Sequence, residues 1–397
     1  MLPAATTPPR PATLVLLTGL SLASLNLFLP SLPGIAEALG APYALVALSI
    51  GGYLAVTAAL QLVMGPLSDR YGRRPVVLAS LALFALASVG CALAPDVWTL
   101  LAFRMLQGAV IAGAVLSRAI VRDMRPPREA ASLLGTIAMA MAVAPMLAPV
   151  LGGALDQALG WRASFWAFAL IGAALLALCW TDLGETNAEP SATFGAQLRA
   201  YPELVRSRRF WGHALCLTFS IGAFYVFLAG APLVAGRLFG LSPAQLGALL
   251  GSITAGFAAG SFLSGRLAAR HALTTMMIAG RLVGSAGLVL FAAGVEHVAA
   301  LIGAVMLVGL GNGLTVPSAT AGALSVRPGL AGSAAGLSGA LTVGGGAALT
   351  SLTGALVAEA GGAAALLRLM LGSTVLALLA ALAVRRIESR EGVAEGA

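Results

Sequence analysis

The chain has 397 residues, 59% of them hydrophobic and only 10% charged, with a net charge of +8 and a mean hydropathy of +0.95. Soluble domains carry roughly 45–50% apolar residues, so a soluble fold is excluded and lipid must be the solvent for much of the chain. All 23 cationic residues are arginines, and the three cysteines, Cys91, Cys179 and Cys216, stand singly inside apolar runs. That placement reads as small buried hydrophobes, without disulfide or metal-ligand spacing.

Twelve apolar segments approach the roughly 20 residues that a helix needs to cross hydrocarbon. They are 12–33, 43–64, 76–94, 98–121, 130–153, 161–181, 211–233, 244–267, 275–294, 298–320, 331–354 and 364–386. None alternates apolar and polar residues as barrel strands do. The first runs past signal-peptide length into Pro30 and Pro33, so a retained helix is expected. With the N-terminus cytoplasmic, eighteen of the 23 arginines fall in cytoplasmic loops or tails or at the adjoining span ends. Arg162, Arg237 and Arg368 fall outside, and Arg104 and Arg281 lie within spans. This is the positive-inside asymmetry, and it accounts for the net charge without nucleic acid.

In chain order, the first notable stretch is Asn26-Leu27-Phe28-Leu29-Pro30-Ser31-Leu32-Pro33. Between the second and third spans comes a turn-rich charge cluster, Gly65-Pro66-Leu67-Ser68-Asp69-Arg70-Tyr71-Gly72-Arg73-Arg74-Pro75-Val76. Gly65 and Gly72 let the backbone turn and approach neighbours, and Pro66 suits a helix boundary. Asp69 can accept from helix N-terminal amides or pair with an arginine, while Arg70, Arg73 and Arg74 hold the loop at the aqueous side. A generic topogenic cluster would explain the arginines, but not the acid and two glycines at these spacings.

The fourth span holds Arg104 and Gln107 in Arg104-Met105-Leu106-Gln107-Gly108. An intramembrane arginine costs roughly 2.5–3.5 kcal/mol on insertion scales and implies a role or a partner. The alternative is a side chain that snorkels outward, since Arg104 lies close to the start of its span. The span ends on Ser117-Arg118-Ala119-Ile120-Val121-Arg122-Asp123. In the fifth, Pro145, Pro149, Gly152 and Gly153 are placed to bend a helix and admit a close neighbour. Trp161-Arg162-Ala163-Ser164-Phe165 opens the sixth. The longest polar stretch, about 184–209, then splits the chain into six spans and six spans. The expected organisation is an N-terminal half (1–185), a cytoplasmic linker (186–209) and a C-terminal half (210–397). Ser264, Arg266 and Arg270 echo Ser68, Arg70 and Arg74 at an offset of 196, with Gly265 in place of Asp69. Stripes such as Gly256/Gly260, Gly332/Gly336 and Gly344-Gly345-Gly346 read as packing devices. His213, His271 and His297 are scattered near span boundaries, where an unpaired polar residue is unremarkable.

Together these pieces closely resemble the major facilitator superfamily, and within it the twelve-span drug:proton antiporters of the Bcr/CflA branch. The G-x-L-S-D-R-x-G-R-R loop, R-x-x-Q-G, S-R-A-I-V-R-D, A-P-x-x-x-A-P-x-x-G-G and the W-R-A-S-F opening carry the resemblance, with Ala148 where exporters usually have a glycine. It implies an all-α membrane fold of two six-helix halves that rock about a central cavity. It also implies that Gly65, Asp69, Arg70, Gly72, Arg73 and Arg74 form a conformational latch with Asp123 as acidic partner, and that Arg104 and Asp123 take part in proton coupling. Where the branch has D-x-Y-L-P, this chain has Asn26 and Phe28, and no Asp or Glu stands in the middle of any predicted span. Asn26 cannot titrate. Asp123, Asp156, Glu37, His213 or the surroundings of Arg104 remain for proton handling.

Asn26 and Gln107 are candidate neutral hydrogen-bonding groups of a substrate cavity, with Phe28, Tyr53, Gln61, Phe224, Tyr225 and Phe227 as its walls; helix packing explains each one singly. A cavity without carboxylates favours neutral or weakly polar amphipathic molecules over cations, because a buried cation needs a counter-charge. The expected function is export of such small molecules by proton antiport, from a bacterial inner membrane, by a monomer with both termini cytoplasmic and no cofactor or metal. A proton-uncoupled facilitator or importer of a small metabolite is the alternative, argued from Asn26. A receptor or intramembrane enzyme finds no signalling domain, nucleophile–base set or phosphate-binding loop in the sequence.

Overall fold

The computed structural model describes residues 9–124, 127–187, 202–267, 270–292, 298–327, 330–358 and 362–391. Among these residues every regular element is helical. The first part of the chain forms α1 (Pro11–Asn26), a 3-10 turn (Leu29–Ser31), α2 (Leu32–Ala38), α3 (Tyr43–Tyr71), α4 (Arg73–Ala92) and α5 (Val97–Gln107). A second 3-10 turn (Gly108–Val110), α6 (Ile111–Met124), α7 (Pro127–Leu159) and α8 (Arg162–Asp182) follow. Beyond the polar stretch come α9 (Arg208–Phe239), α10 (Pro243–Leu267), α11 (Leu273–Ala292), α12 (Val298–Ser325), α13 (Ala331–Val357) and α14 (Gly362–Glu391).

Backbone in hydrocarbon has no water to bond, so apolar segments of this length must satisfy their amides as helices. Each predicted span accordingly coincides with helix: the first joins α1 to α2 and the fourth joins α5 to α6. Eleven are long and apolar enough to cross a membrane among the described residues. The remaining one, α7, is a continuous 33-residue helix running through both Pro145 and Pro149. Helix α5 starts where Asp96 accepts from the Trp98 and Thr99 amides at 2.8 and 2.9 Å, and α9 starts where Ser207 accepts from the Phe210 amide.

One boundary corrects the sequence reading. Helix α3 continues to Tyr71 with Pro66 inside it, so the predicted loop shrinks to the single residue Gly72, with φ +95°. A side chain is strained at that φ, which explains a glycine there. Gly65 lies within the helix, and a Cβ on it would meet nothing within 4 Å; close approach does not account for it.

The chain forms two compact units, Met1–Thr193 with Ser242–Gly247, and Phe194–Leu241 with Ala248–Ala397. In the first, α4 packs along α8, and α1 along α7 and α6. Phe84, Phe165 and Phe168 are fully buried there, with Phe84 edge-on to Phe168 at 5.8 Å. In the second unit, α9 packs on α13 and α14, and α11 on α12. Gly256 and Gly260 of α10 bring it against α12: a Cβ on either would fall 2.2 or 2.1 Å from the carbonyl oxygen of Met306 or Leu310. Backbone contact this close needs small residues, so this stripe is a packing device. All three cysteines are free and buried.

Candidate functional site

Two arginine-centred constellations stand in the first unit. The first is built on Gly72, where α3 ends and α4 begins. Arg73 forms an ion pair with Asp69, one helical turn earlier, and its Nε donates to Asp123 Oδ2 at 3.1 Å. Asp69 therefore pairs with an arginine, and a different residue takes the free amides at the start of α4. Glu185, three residues beyond α8, accepts from the Arg73 and Arg74 amides at 2.9 and 3.2 Å. A Cβ on Gly72 would lie 2.3 Å from Glu185 Oε2, so this glycine admits the carboxylate as well as the turn. Arg74 Nε and Nη2 donate to the Leu183 and Trp180 carbonyls, each at 2.8 Å. Asn187 Nδ2 donates to the Asp69 carbonyl at 2.8 Å, and Thr186 Oγ1 donates to Asp123 at 3.3 Å. Arg70 is exposed and lies over the Tyr71 ring at 5.4 Å; it stays outside these bonds.

The second constellation surrounds Arg104, which is 0% exposed; it does not snorkel. Its guanidinium donates to the Ser24 carbonyl (2.8 Å), the Ser49 carbonyl (3.2 Å) and Gln107 Oε1 (2.7 Å). Phe28 and Tyr53 present ring faces at 4.4 and 4.0 Å. Gln107 passes the network on by donating to Ser88 Oγ at 2.6 Å, and the Ser24 and Tyr53 hydroxyls bond at 2.6 Å. Charge is thus met by carbonyl dipoles and π faces, both of which stabilise a desolvated cation. No Asp or Glu is buried among the described residues.

Of the predicted cavity residues, Phe28, Tyr53 and Gln107 are brought together around Arg104. Asn26 donates to the Leu22 carbonyl at 2.8 Å and keeps a buried, unbonded Oδ1. Gln61 is half-buried on α3, away from that network. In the second unit Phe224 and Tyr225 pack edge-on at 5.9 Å, and Tyr225 lies where a Cβ on Gly346 would be. Phe227 lines an apolar void of about 20 Å³ with Leu249, Leu288 and Val308, room for about one water and far below the size of a drug. In α7, a Cβ on Gly152 would fall 1.5 Å from the Leu27 carbonyl oxygen, and one on Gly153 would fall 2.2 Å from that of Pro243 within the same unit. Of the remaining proton candidates, Glu37 is exposed, Asp156 half-buried and His213 fully buried; His297 lies outside the described residues.

Sequence reasoning missed Glu185, whose signal was an acid directly after a span. It also missed the shell of Arg281, which is 1% exposed and donates to Asn312 Oδ1 at 2.7 Å and Thr315 Oγ1 at 2.9 Å. Asn312 and Thr315 are three apart in the span paired with α11, a spacing that puts both on one helix face. No group of three or more His, Cys, Asp or Glu among the described residues is placed to hold a metal.

The family model described as Major Facilitator Superfamily matches residues 14–351. The chain is 37% identical over 270 residues to the uncharacterized MFS-type transporter YdgK of Bacillus subtilis, covering 64% of this chain and 67% of that one. It is 32% identical to a chloramphenicol resistance protein of Pseudomonas aeruginosa, covering 79% of this chain and 76% of the relative. With the multidrug resistance protein MdtL of Escherichia coli it shares 32% identity, over 79% and 81%. Its fold is similar to the crystal structure of a bacterial homologue of the human lysosomal transporter Spinster, with a TM-score of 0.77 at 17% identity over 97% and 98% of the two chains. With its all-helical build, its membrane-length spans and this family match, the chain belongs to the major facilitator superfamily and is a multi-pass membrane transporter rather than an enzyme.

Proposed function

We propose that this transporter exports small, neutral or weakly polar amphipathic compounds, of the amphenicol kind, by proton antiport. The observation that carries the substrate class is the charge inventory. The only charged side chains fully buried among the described residues are Arg104 and Arg281, and Arg104 is held by two backbone carbonyls, the Gln107 amide oxygen and aromatic faces. An interior of this kind has no counter-charge for a cationic drug. The relatives named for chloramphenicol and multidrug resistance support export.

In this reading residues 1–185 and 210–397 are the two six-helix halves, both termini are cytoplasmic, and the protein works as a monomer in a bacterial inner membrane. Arg73, Asp69 and Asp123, with Gly72 and Glu185, serve as the latch, and Arg104 takes part in proton handling. Everted vesicles with a respiration-driven proton gradient test it. Adding chloramphenicol should dissipate the gradient in vesicles that carry the protein and leave control vesicles unchanged. Cationic dyes that consistently outcompete neutral amphenicols would overturn the substrate class. A second reading, a carrier without proton coupling, is favoured by Asn26, whose amide already donates to its own helix and cannot titrate. Faster movement of labelled drug with no proton movement would select it.

A further inference from the structure

At one end of the second unit a histidine lies fully buried with neither ring nitrogen hydrogen-bonded. This is His213, in the second turn of α9. Its Nε2 stands 3.5 Å from Oε1 of Glu388 on α14. Arg209, one turn earlier on α9, donates to that same oxygen at 3.0 Å. On α12, Gly322 faces the ring: a Cβ there would fall 2.2 Å from Cε1, so the imidazole fills the space a side chain would take. Its helix neighbours Phe210 and Ala214 are buried as well. The other cations near the end of α14, Arg385, Arg386 and Arg390, are exposed.

We propose that His213 and Glu388 form a proton-binding site of the second unit, with Arg209 as the fixed cation beside it. This rests on the proton-antiport reading only for its role in transport. A neutral imidazole at this place can offer Glu388 only an uncharged Nε2–H and leaves Nδ1 buried without a partner, which is unfavourable. Protonation gives both nitrogens a hydrogen and the ring a positive charge. Nε2–H then donates to Glu388 Oε1, needing only a small closing movement from 3.5 Å to a charge-assisted bond. Glu388 keeps 19% of its side chain exposed, so the proton has a route from water to the buried ring. Arg104 and Arg281, by contrast, are held by groups that do not titrate near neutrality. Glu388 supplies what the spans lack, a carboxylate within reach of a titratable partner.

The test is histidine-ring NMR of the full-length protein in lipid nanodiscs across pH, with His213→Gln assigning its signal among the three histidines. The His213 ring signal should move with pH. Glu388→Gln should lower its midpoint by about one unit or more, since the counter-charge is gone. Arg209→Gln should raise it, since a competing cation is removed, and this variant keeps the test decisive should the first fail to fold. A ring that does not titrate, or a midpoint indifferent to both changes, overturns the site. In everted vesicles His213→Gln should retain drug counterflow while losing substrate-driven proton movement. Proton movement equal to the unaltered protein would overturn the coupling role. If the unaltered protein itself moves no protons, the antiport reading fails, and the titration still decides the site.

Discussion

Arg73 and Arg104 belong to the same unit, and each is at most 9% exposed, yet their charges are met in opposite ways. Arg73 stands where helices end and meets carboxylates, Asp69 and Asp123. Arg104 is fully buried inside a span and meets none, only two carbonyls, an amide and two rings. The difference follows from solvation. Near water an acid–base pair is cheap to assemble, because each partner keeps part of its hydration. In the interior a carboxylate would carry its own desolvation penalty, and neutral acceptors hold a guanidinium without a second buried charge. The first site can therefore break and re-form, as the proposed latch role requires; the second is a fixed positive charge.

The largest effect expected from this contrast is at Arg104. Arg104→Ala leaves two carbonyls and Gln107 without their donor, at about 1–3 kcal/mol for each orphaned group. Thermal unfolding in detergent should fall sharply, and the proposed export should be lost. Arg104→Lys keeps the charge but not the planar fork, so it should regain stability only in part and export little. A lysine variant that exports normally would mean that charge alone matters there. Gly152→Ala comes next: the overlap with the Leu27 carbonyl cannot relax through a flexible side chain, and a loss of about 1–3 kcal/mol is expected, read by the same unfolding assay.

At the first site the effects are smaller. Asp123→Asn should lower stability by about 1 kcal/mol, and a double-mutant cycle with Arg73→Gln should show that most of this loss is shared with Arg73. An additive cycle would break the comparison, because it would make Arg73 as self-contained as Arg104. Glu185→Ala should cost about 1 kcal/mol through the two uncapped amides of α4, visible as faster hydrogen exchange at Arg73 and Arg74. The smallest effect is at Asp96, an exposed cap whose carboxyl is held below its usual value, first by the Thr99 amide and then by the Thr99 hydroxyl. A depressed pKa in the folded state stabilises above the unfolded value of roughly 3.9, and that contribution fades as pH falls through the lower folded value. Asp96→Asn should therefore change stability slightly at neutral pH and leave a flatter acid limb below about pH 4.

Parts of both sites could be read from sequence. The cluster at 65–76 stands out because charges are rare in this chain, while Asp123 is singled out by the family resemblance of the stretch that ends on it. Gly72 was read correctly as a turn, whereas Gly65 was not: glycine composition marks freedom, and only the neighbours show whether it is used. Arg104 was visible as a charge inside an apolar run, but Ser24, Ser49 and Ser88 look like any small polar residues of a membrane helix. Glu185 passed as an ordinary acid in a polar stretch, and His213 as an ordinary boundary histidine.

By itself the sequence determined the solvent, the helical class, the positions of the spans and the ends at which charge collects, because hydropathy and helix length are local properties fixed by the thickness of hydrocarbon. Only the tertiary structure decided which acid meets which arginine. Arg73 bonds to partners 50 and 112 positions away, and Arg104 to a carbonyl 80 positions away. It also decided that Arg104 turns inward, since a residue near the start of a span can face either way until its neighbours supply acceptors. Such pairings depend on how helices pack, and no local pattern in the chain encodes them.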